Sequence, residues 1–214
     1  MTEETEPNGP RMRNGVLSGP ATSQIAIRKQ ELRQTITSLR RKQSDKEGLS
    51  ARIVARLAAL PAFQTAARLC IYVDVRDEVR TRAAIADLLR QGRAVCVPFC
   101  DGPRLRLIML RDLSELNAGR YGILEPAEGL QHDPTRQTPA DQVSLFIVPG
   151  VAFDEYRNRL GHGHGFYDRL LGEAPNSFKV GLAFECQVVA NLPVEQHDVP
   201  LDVVVTPERT IPVP

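Results

Sequence analysis

The 214-residue sequence points to an α/β protein: three layers, with a mainly parallel, Rossmann-like open sheet and helices on both faces. Three features lead there. From residue 69 onward, short β-branched runs alternate with helical patterns, the rhythm of βαβ units. The run over 143–148 is apolar nearly throughout, as a strand buried on both faces must be. Apolar residues make up 42% of the chain, enough for one core, and neither an internal repeat nor a second domain stands out.

The first segment, MTEETEPNGPRMRNGVLSGPATSQ, mixes Pro, Gly and polar residues without an apolar period. It buries too little surface to offset ordering entropy, so 1–24 reads as a flexible tail and 25–214 as a single domain. It lacks the apolar stretch of a secretory signal, and Glu3, Glu4 and Glu6 argue against a transit peptide. Ile25, Leu32, Ile36 and Leu39 recur at helical spacing, with Lys29 and Arg33 adjacent on one flank. Ser44 followed by Glu47 predicts a capping box opening a second helix. That helix carries Leu49, Ile53, Val54, Leu57 and Leu60, and Pro61 should end it. A strand over 69–73 and a helix over 81–90, stopped by Gly92, come next. Strands over 94–99 and 105–110 follow, then a loop region over 112–141. Beyond the strand at 143–148 a glycine-rich loop runs to Gly165, with a short helix to Leu171. Strands over 180–184 and 203–205, separated by a short helical stretch, complete the pattern.

Lys and Arg (27) nearly balance Asp and Glu (26), so neither nucleic acid nor a membrane surface is an expected partner. No apolar run approaches the roughly 18 residues of a membrane span. Cys70, Cys96, Cys100 and Cys186 are too few and too scattered for a disulfide framework, which suggests a reducing compartment. Cys96 and Cys100 lack the partner pair that a zinc site needs.

Ligands of open α/β sheets bind at loops beyond the carboxyl ends of the strands. Two such loops carry chemistry. The first lies in FIVPGVAFDEYRNRLGHGHGFYDRLL, residues 146–171. It offers Arg159, then Gly161, Gly163 and Gly165 at alternate positions, then a helix opening at Phe166, Tyr167 and Asp168. Alternating glycines let backbone N–H groups approach an anion, and Arg159 adds a charged donor. The run is neither a Walker loop nor GxGxxG, so a plain turn and a phosphate cradle both remain open. The second loop is YVDVRDEVRT, residues 72–81. There Glu78 either receives hydrogen bonds from a ligand or belongs to a solvated helix start capped by Thr81.

VPGVAFD and RLGHGHGFYDRLL together resemble the signature of the 5-formyltetrahydrofolate cyclo-ligase family. KQELR at 29–33, DEVRT at 77–81, YGILEP at 121–126 and HDVPLDVVVTPER at 197–209 match it in the same order. The resemblance covers about residues 27–209 and implies an ATP- and Mg2+-dependent ring closure. In it, 5-formyltetrahydrofolate becomes 5,10-methenyltetrahydrofolate with release of ADP and phosphate. Phosphorylation of the formyl oxygen makes a leaving group, and N10 attacks the activated carbon. The protein's task is alignment, charge stabilisation and exclusion of water.

Residue by residue, the resemblance assigns Lys29, Arg33 and the run Arg159, Leu160, Gly161, His162, Gly163, His164, Gly165, Phe166 and Tyr167 to ATP. Val73, Glu78 and the stretch from His162 to Phe166 are assigned to the folate. Tyr167 and Glu78 stand nearest the chemistry, and Asp168 and Asp198 match the magnesium positions, with Asp202 ranked below them. Two departures stand out. His162 and His164 occupy positions where some members carry Arg and Lys, and a histidine is only partly cationic near neutrality. Metal ligation by this His-Gly-His pair lacks a third ligand close by. Arg80 replaces a commonly acidic residue. The expected protein is cytoplasmic, a monomer or weak homo-oligomer, and takes 5-formyltetrahydrofolate, with polyglutamylated forms left open by the sequence. A folate- or nucleotide-binding protein without turnover, or a phosphosugar-type enzyme on a similar sheet, are the competing readings.

Overall fold

The structure, a computed structural model, describes residues 20–119 and 124–212, residues 20–23 by backbone alone. Residues 1–19 of the expected tail, and Tyr121, Gly122 and Ile123 of the YGILEP motif, lie outside the described residues. Helices α1 (Pro20–Lys42), α2 (Lys46–Ala58) and α3 (Pro61–Thr65) precede strand β1 (Arg68–Ile71). Then come α4 (Arg82–Arg90), β2 (Ala94–Asp101), β3 (Arg104–Leu110), β4 (Leu116–Ala118), β5 (Leu124–Pro126), α5 (Glu128–Gln131) and β6 (Gln137–Thr138). The remainder is β7 (Leu145–Val148), β8 (Ala152–Asp154), β9 (Arg159–Leu160), α6 (Phe166–Gly172), β10 (Phe178–Leu182), β11 (Val188–Val189), β12 (Val203–Val205) and β13 (Thr210–Ile211).

The main sheet has the order β13-β12-β10-β7-β1-β2-β3-β6. Its centre, from β12 through β10, β7 and β1 to β2, is parallel. The outer strands β13, β3 and β6 pair antiparallel. Strand alternation then sorts the core into two faces. Leu69, Ile71, Val95, Val97, Leu145 and Ile147 meet Ile53 and Leu57 of α2, Phe63 of α3, and Ile85 and Leu88 of α4. Their neighbours Cys70, Cys96, Phe146 and Val148 meet Leu170 and Leu171 of α6 on the other side. Helices thus cover both faces, as expected, and each fully buried aliphatic side chain stabilises by about 1.5–3 kcal/mol. Gly181 in β10 admits Phe153 to this second layer, since a Cβ there would stand 2.6 Å from the phenyl ring.

The topology places a ligand site. From β1 the chain moves one way, to β2 and β3; from β7 it moves the other way, to β10 and β12. The loops leaving β1 and β7 therefore diverge, and a crevice opens beyond their carboxyl ends. Helix α1 docks beside it through Leu32 and Ile36, which pack against Val151, Ala152, Leu160 and Leu192.

Several local expectations are corrected. Asp45, not Ser44, caps α2: it adopts φ 49° and its carboxylate accepts from Gly48 N at 3.1 Å. Pro61 opens α3 as its first residue, where its missing N–H costs nothing. The inward stripe of α1 includes Lys29, Ile36 and Arg40, whereas Leu39 is exposed. Helix α1 begins at Pro20, inside the segment expected to be tail. The region over 112–141 contains the β4–β5 hairpin, α5 and β6. The glycine-rich loop contains β8 and β9, which join β11 in a small second sheet. Strand β3 returns antiparallel because Gly102, at φ 57°, and Pro103 close a two-residue turn between paired Asp101 and Arg104.

Candidate active site

A cavity of about 490 Å³ fills the crevice. Lys29, Arg33, Val73, Glu78, the run 159–168 and Asp198 line it, whereas the lower-ranked Asp202 does not and instead accepts from Lys179 N at 2.7 Å. The lining residues arrive from four separate segments: α1, the loop after β1, the span from β9 into α6, and the turn before β12. Glu195 and Arg76 line it too, and neither was singled out in the sequence.

The β1 loop is built around a second carboxylate. Asp74 Oδ1 accepts from the backbone of Thr81 at 2.9 Å and Arg82 at 3.1 Å, so it caps α4 across the loop. Thr81 occupies the cap position but turns its hydroxyl to Tyr72 O at 2.7 Å. Glu78 is only 8% exposed and accepts from Val75 N at 3.1 Å. Burial pushes its carboxyl up to about 7, and the backbone bond from Val75 and the charge of Arg40 only partly oppose that rise. The solvated-helix-start reading of Glu78 is therefore set aside. This carboxyl faces the cavity and exchanges its proton near neutrality.

The glycine loop is shaped by its own backbone and by α1. Gly163 sits at φ 100° and Gly165 at φ 63°, both in the left-handed region that side-chain-bearing residues avoid. Arg33 Nε donates to Gly161 O at 2.9 Å and its guanidinium lies under Gly163, where a Cβ would stand 3.4 Å away. Arg159 Nη2 donates to Asp168 Oδ1 at 2.9 Å, and its guanidinium stacks 5.4 Å from the centre of the Tyr167 ring. Burial holds the Tyr167 phenol well above its ordinary range, so it stays a neutral donor. Partial burial, then the nearby cations Arg40 and Arg33, hold His162 below its ordinary value. It therefore offers a neutral imidazole.

Beneath this loop, Arg40 of α1 donates to Gly150 O at 3.1 Å, and Gln187 donates to the same oxygen at 2.9 Å. The pair anchors the turn after β7. Lys29 Nζ reaches Asp198 Oδ2 at 2.6 Å and Glu195 Oε2 at 2.8 Å. Burial opposes the ammonium charge, but the two carboxylates outweigh it and raise the lysine above its ordinary value.

Among the described residues, no three His, Cys, Asp or Glu side chains gather into a metal cage. Asp168 and Asp198 offer oxygen donors at the cavity wall, each with one oxygen already bonded to a cation. That donor set suits a hard divalent ion carried largely by phosphate oxygens and water, with one or two protein carboxylates.

A cavity of this size at the switch point of an open α/β sheet, lined by Lys29, Arg33, Arg76 and Arg159 and by Glu78, Asp168, Glu195 and Asp198, is the small-molecule site of this class of fold. Residues 25–207 match the model of the 5-formyltetrahydrofolate cyclo-ligase family. The chain belongs to that family, and the ligase expected from its motifs is the enzyme class it joins. It is 35% identical over 184 residues to the 5-formyltetrahydrofolate cyclo-ligase of Escherichia coli K12, covering 83% of this chain and 97% of that one. It is 31% identical over 206 residues to a probable 5-formyltetrahydrofolate cyclo-ligase of Schizosaccharomyces pombe, covering 87% and 98%. The solved 5,10-methenyltetrahydrofolate synthetase of Aquifex aeolicus superposes with a TM-score of 0.75 at 32% identity, over 86% of this chain and 92% of that one. None of the helices among the described residues is long and apolar enough to cross a membrane.

Proposed function

We propose that this enzyme cyclises 5-formyltetrahydrofolate to 5,10-methenyltetrahydrofolate, consuming ATP with Mg2+ and releasing ADP and phosphate. The observation that carries the reading is convergence: residues nominated from distant motifs line one cavity. The formyl oxygen attacks the γ-phosphorus and ADP leaves. N10 then attacks the formyl carbon and loses its proton, and the C–O bond breaks to release phosphate and close the ring. Lys29, Arg33 and Arg159 supply positive charge for the polyphosphate, and the backbone at Gly161–Gly165 allows close approach. Val73 and Glu78 take the pterin side, where Glu78 receives the N10 proton, and the neutral Tyr167 phenol orients the reacting groups. Asp168 and Asp198 would hold the divalent ion, which supplies charge neutralisation on the phosphates.

A cytoplasmic location, a monomeric or weakly associating state, and acceptance of polyglutamylated folate belong to the same proposal. The test is direct: mix the protein with 5-formyltetrahydrofolate, ATP and Mg2+ and follow the absorbance of the methenyl product. Product that forms and stops when ATP is omitted supports the reading. Folate binding without product would leave only a binding protein, and neither signal would refute both.

A further inference from the structure

The Lys29 ammonium lies between two acids that one short turn holds together. Asp198 Oδ2 accepts from Lys29 at 2.6 Å and from Glu195 N at 2.8 Å, and Asp198 N donates to Glu195 O at 3.0 Å. Glu195 Oε2 accepts the same ammonium at 2.8 Å. The lysine side chain is 9% exposed, while those of Glu195 and Asp198 are 29% and 17% exposed. All three side chains line the cavity, and that of Lys29 is the least exposed of them. His197 Nε2 stands 3.9 and 3.7 Å from the two acids but is 68% exposed, so solvent screens it.

We propose that Lys29, Glu195 and Asp198 form a cation-exchange switch that couples divalent-ion and nucleotide binding. In the nucleotide-free enzyme the ammonium is the resident cation of the acid pair. A divalent ion arriving with the polyphosphate takes the acids, and the freed ammonium turns to the phosphates. The proposal rests on the reading that Asp198 receives the ion and that the anion is a nucleotide.

Charge arithmetic drives the exchange. Two carboxylates and one ammonium leave a net negative charge facing the cavity. With a divalent ion the pair is neutral, and Lys29 brings its charge to the polyphosphate. Without the ion, moving Lys29 would bare two carboxylates beside an anionic ligand, so nucleotide alone should bind poorly. Arg33 is bonded to the glycine loop and not to the acid pair: its Nε donates to Gly161 O at 2.9 Å. Glu195, which the motifs give no role, is what makes the lysine's resting place a two-acid site.

The experiment measures Mn2+ affinity of the nucleotide-free protein by electron paramagnetic resonance. Lys29→Gln removes the charge and keeps a donor toward both acids. It should bind Mn2+ about tenfold tighter than wild type, within the usual range of coupling between sites. Adding Glu195→Gln should reverse most of that gain. Mn2+ affinity of Lys29→Gln within about twofold of wild type, or weaker, would overturn the switch; the same holds if Glu195→Gln leaves the gain intact. If the variants fail to fold, calorimetry on the wild type decides. A non-hydrolysable ATP analogue should lose at least about tenfold in affinity when Mg2+ is removed, and a loss under about threefold overturns the proposal. Methenyl product from the wild type tests the function itself. Product formation together with unchanged Mn2+ affinities discards the switch and keeps the enzyme.

Discussion

Replacing Glu78 by Gln should make the protein more stable at alkaline pH and leave it nearly unchanged in mild acid. In the folded state burial raises this carboxyl from the ordinary 4.5 to about 7. The unfolded chain therefore releases the proton first, and ionisation in the fold is penalised. Below about 4.5 both states are protonated and there is no penalty; it grows as pH rises and is complete above the folded value. At about 1.36 kcal/mol for each tenfold change in proton affinity, the full penalty is about 3 kcal/mol. Between pH 5 and pH 8 the advantage of Glu78→Gln over wild type should widen by roughly 2–3 kcal/mol, since Gln stays neutral and still accepts from Val75 N. For a domain of this size that is about 5–10 °C in melting temperature. Urea unfolding of both proteins at the two pH values is the assay, and the difference between them cancels every other titrating group. Stability curves that run parallel across this range would refute the buried, near-neutral carboxyl. If Glu78 receives the N10 proton as proposed, the same variant should lose most turnover, because an amide cannot take that proton up.

Three further expectations follow from other contacts. Gly163→Ala puts a side chain at φ 100° with its Cβ 3.4 Å from the Arg33 guanidinium; it should cost about 1–2 kcal/mol and raise the KM for ATP several-fold, read by thermal melting and steady-state kinetics. Asp168→Ala strips the partner from the Arg159 side chain, itself 3% exposed. That should cost about 3 kcal/mol and abolish most Mg2+-dependent turnover, and wild-type activity in this variant would remove Asp168 from the ion site. Asp74→Ala leaves the Thr81 and Arg82 amides uncapped at the start of α4 and should lower stability by about 1–2 kcal/mol, seen as a reduced urea midpoint.

Much of the sheet was legible because its signals are local. Leu145–Val148 is apolar at every position, and it lies between β10 and β1 with all four residues buried. The direction of β3 was also readable in principle from the Asp101-Gly102-Pro103 turn, but an alternation of strands and helices draws attention to parallel pairing first. β8 and β9 were hidden because three- and two-residue strands have no usable period. Ser44, three residues before Glu47, fits a capping box in the sequence, whereas the fold puts Asp45, at φ 49°, in the cap position. In the site, the motif-borne residues converge as their resemblance implied. Glu195 was missed for a different reason: its partner Lys29 is 166 positions away, and nothing near either residue announces the other. Arg40 was missed because a cation within an apolar stripe reads as a flank until its neighbours are known.

Helix α1 touches the rest of the molecule mostly through its inward cations and two aliphatic side chains, yet it supplies part of the cavity wall. If it lifts away, the sheet loses little while the ligand loses Lys29 and Arg33 together. Occupancy therefore gauges how tightly the beginning of the chain is fastened, and amide hydrogen exchange should slow in α1 on saturation far more than in β7. A mutation on the outer side of that helix could impair catalysis by loosening its grip, without approaching a reacting atom.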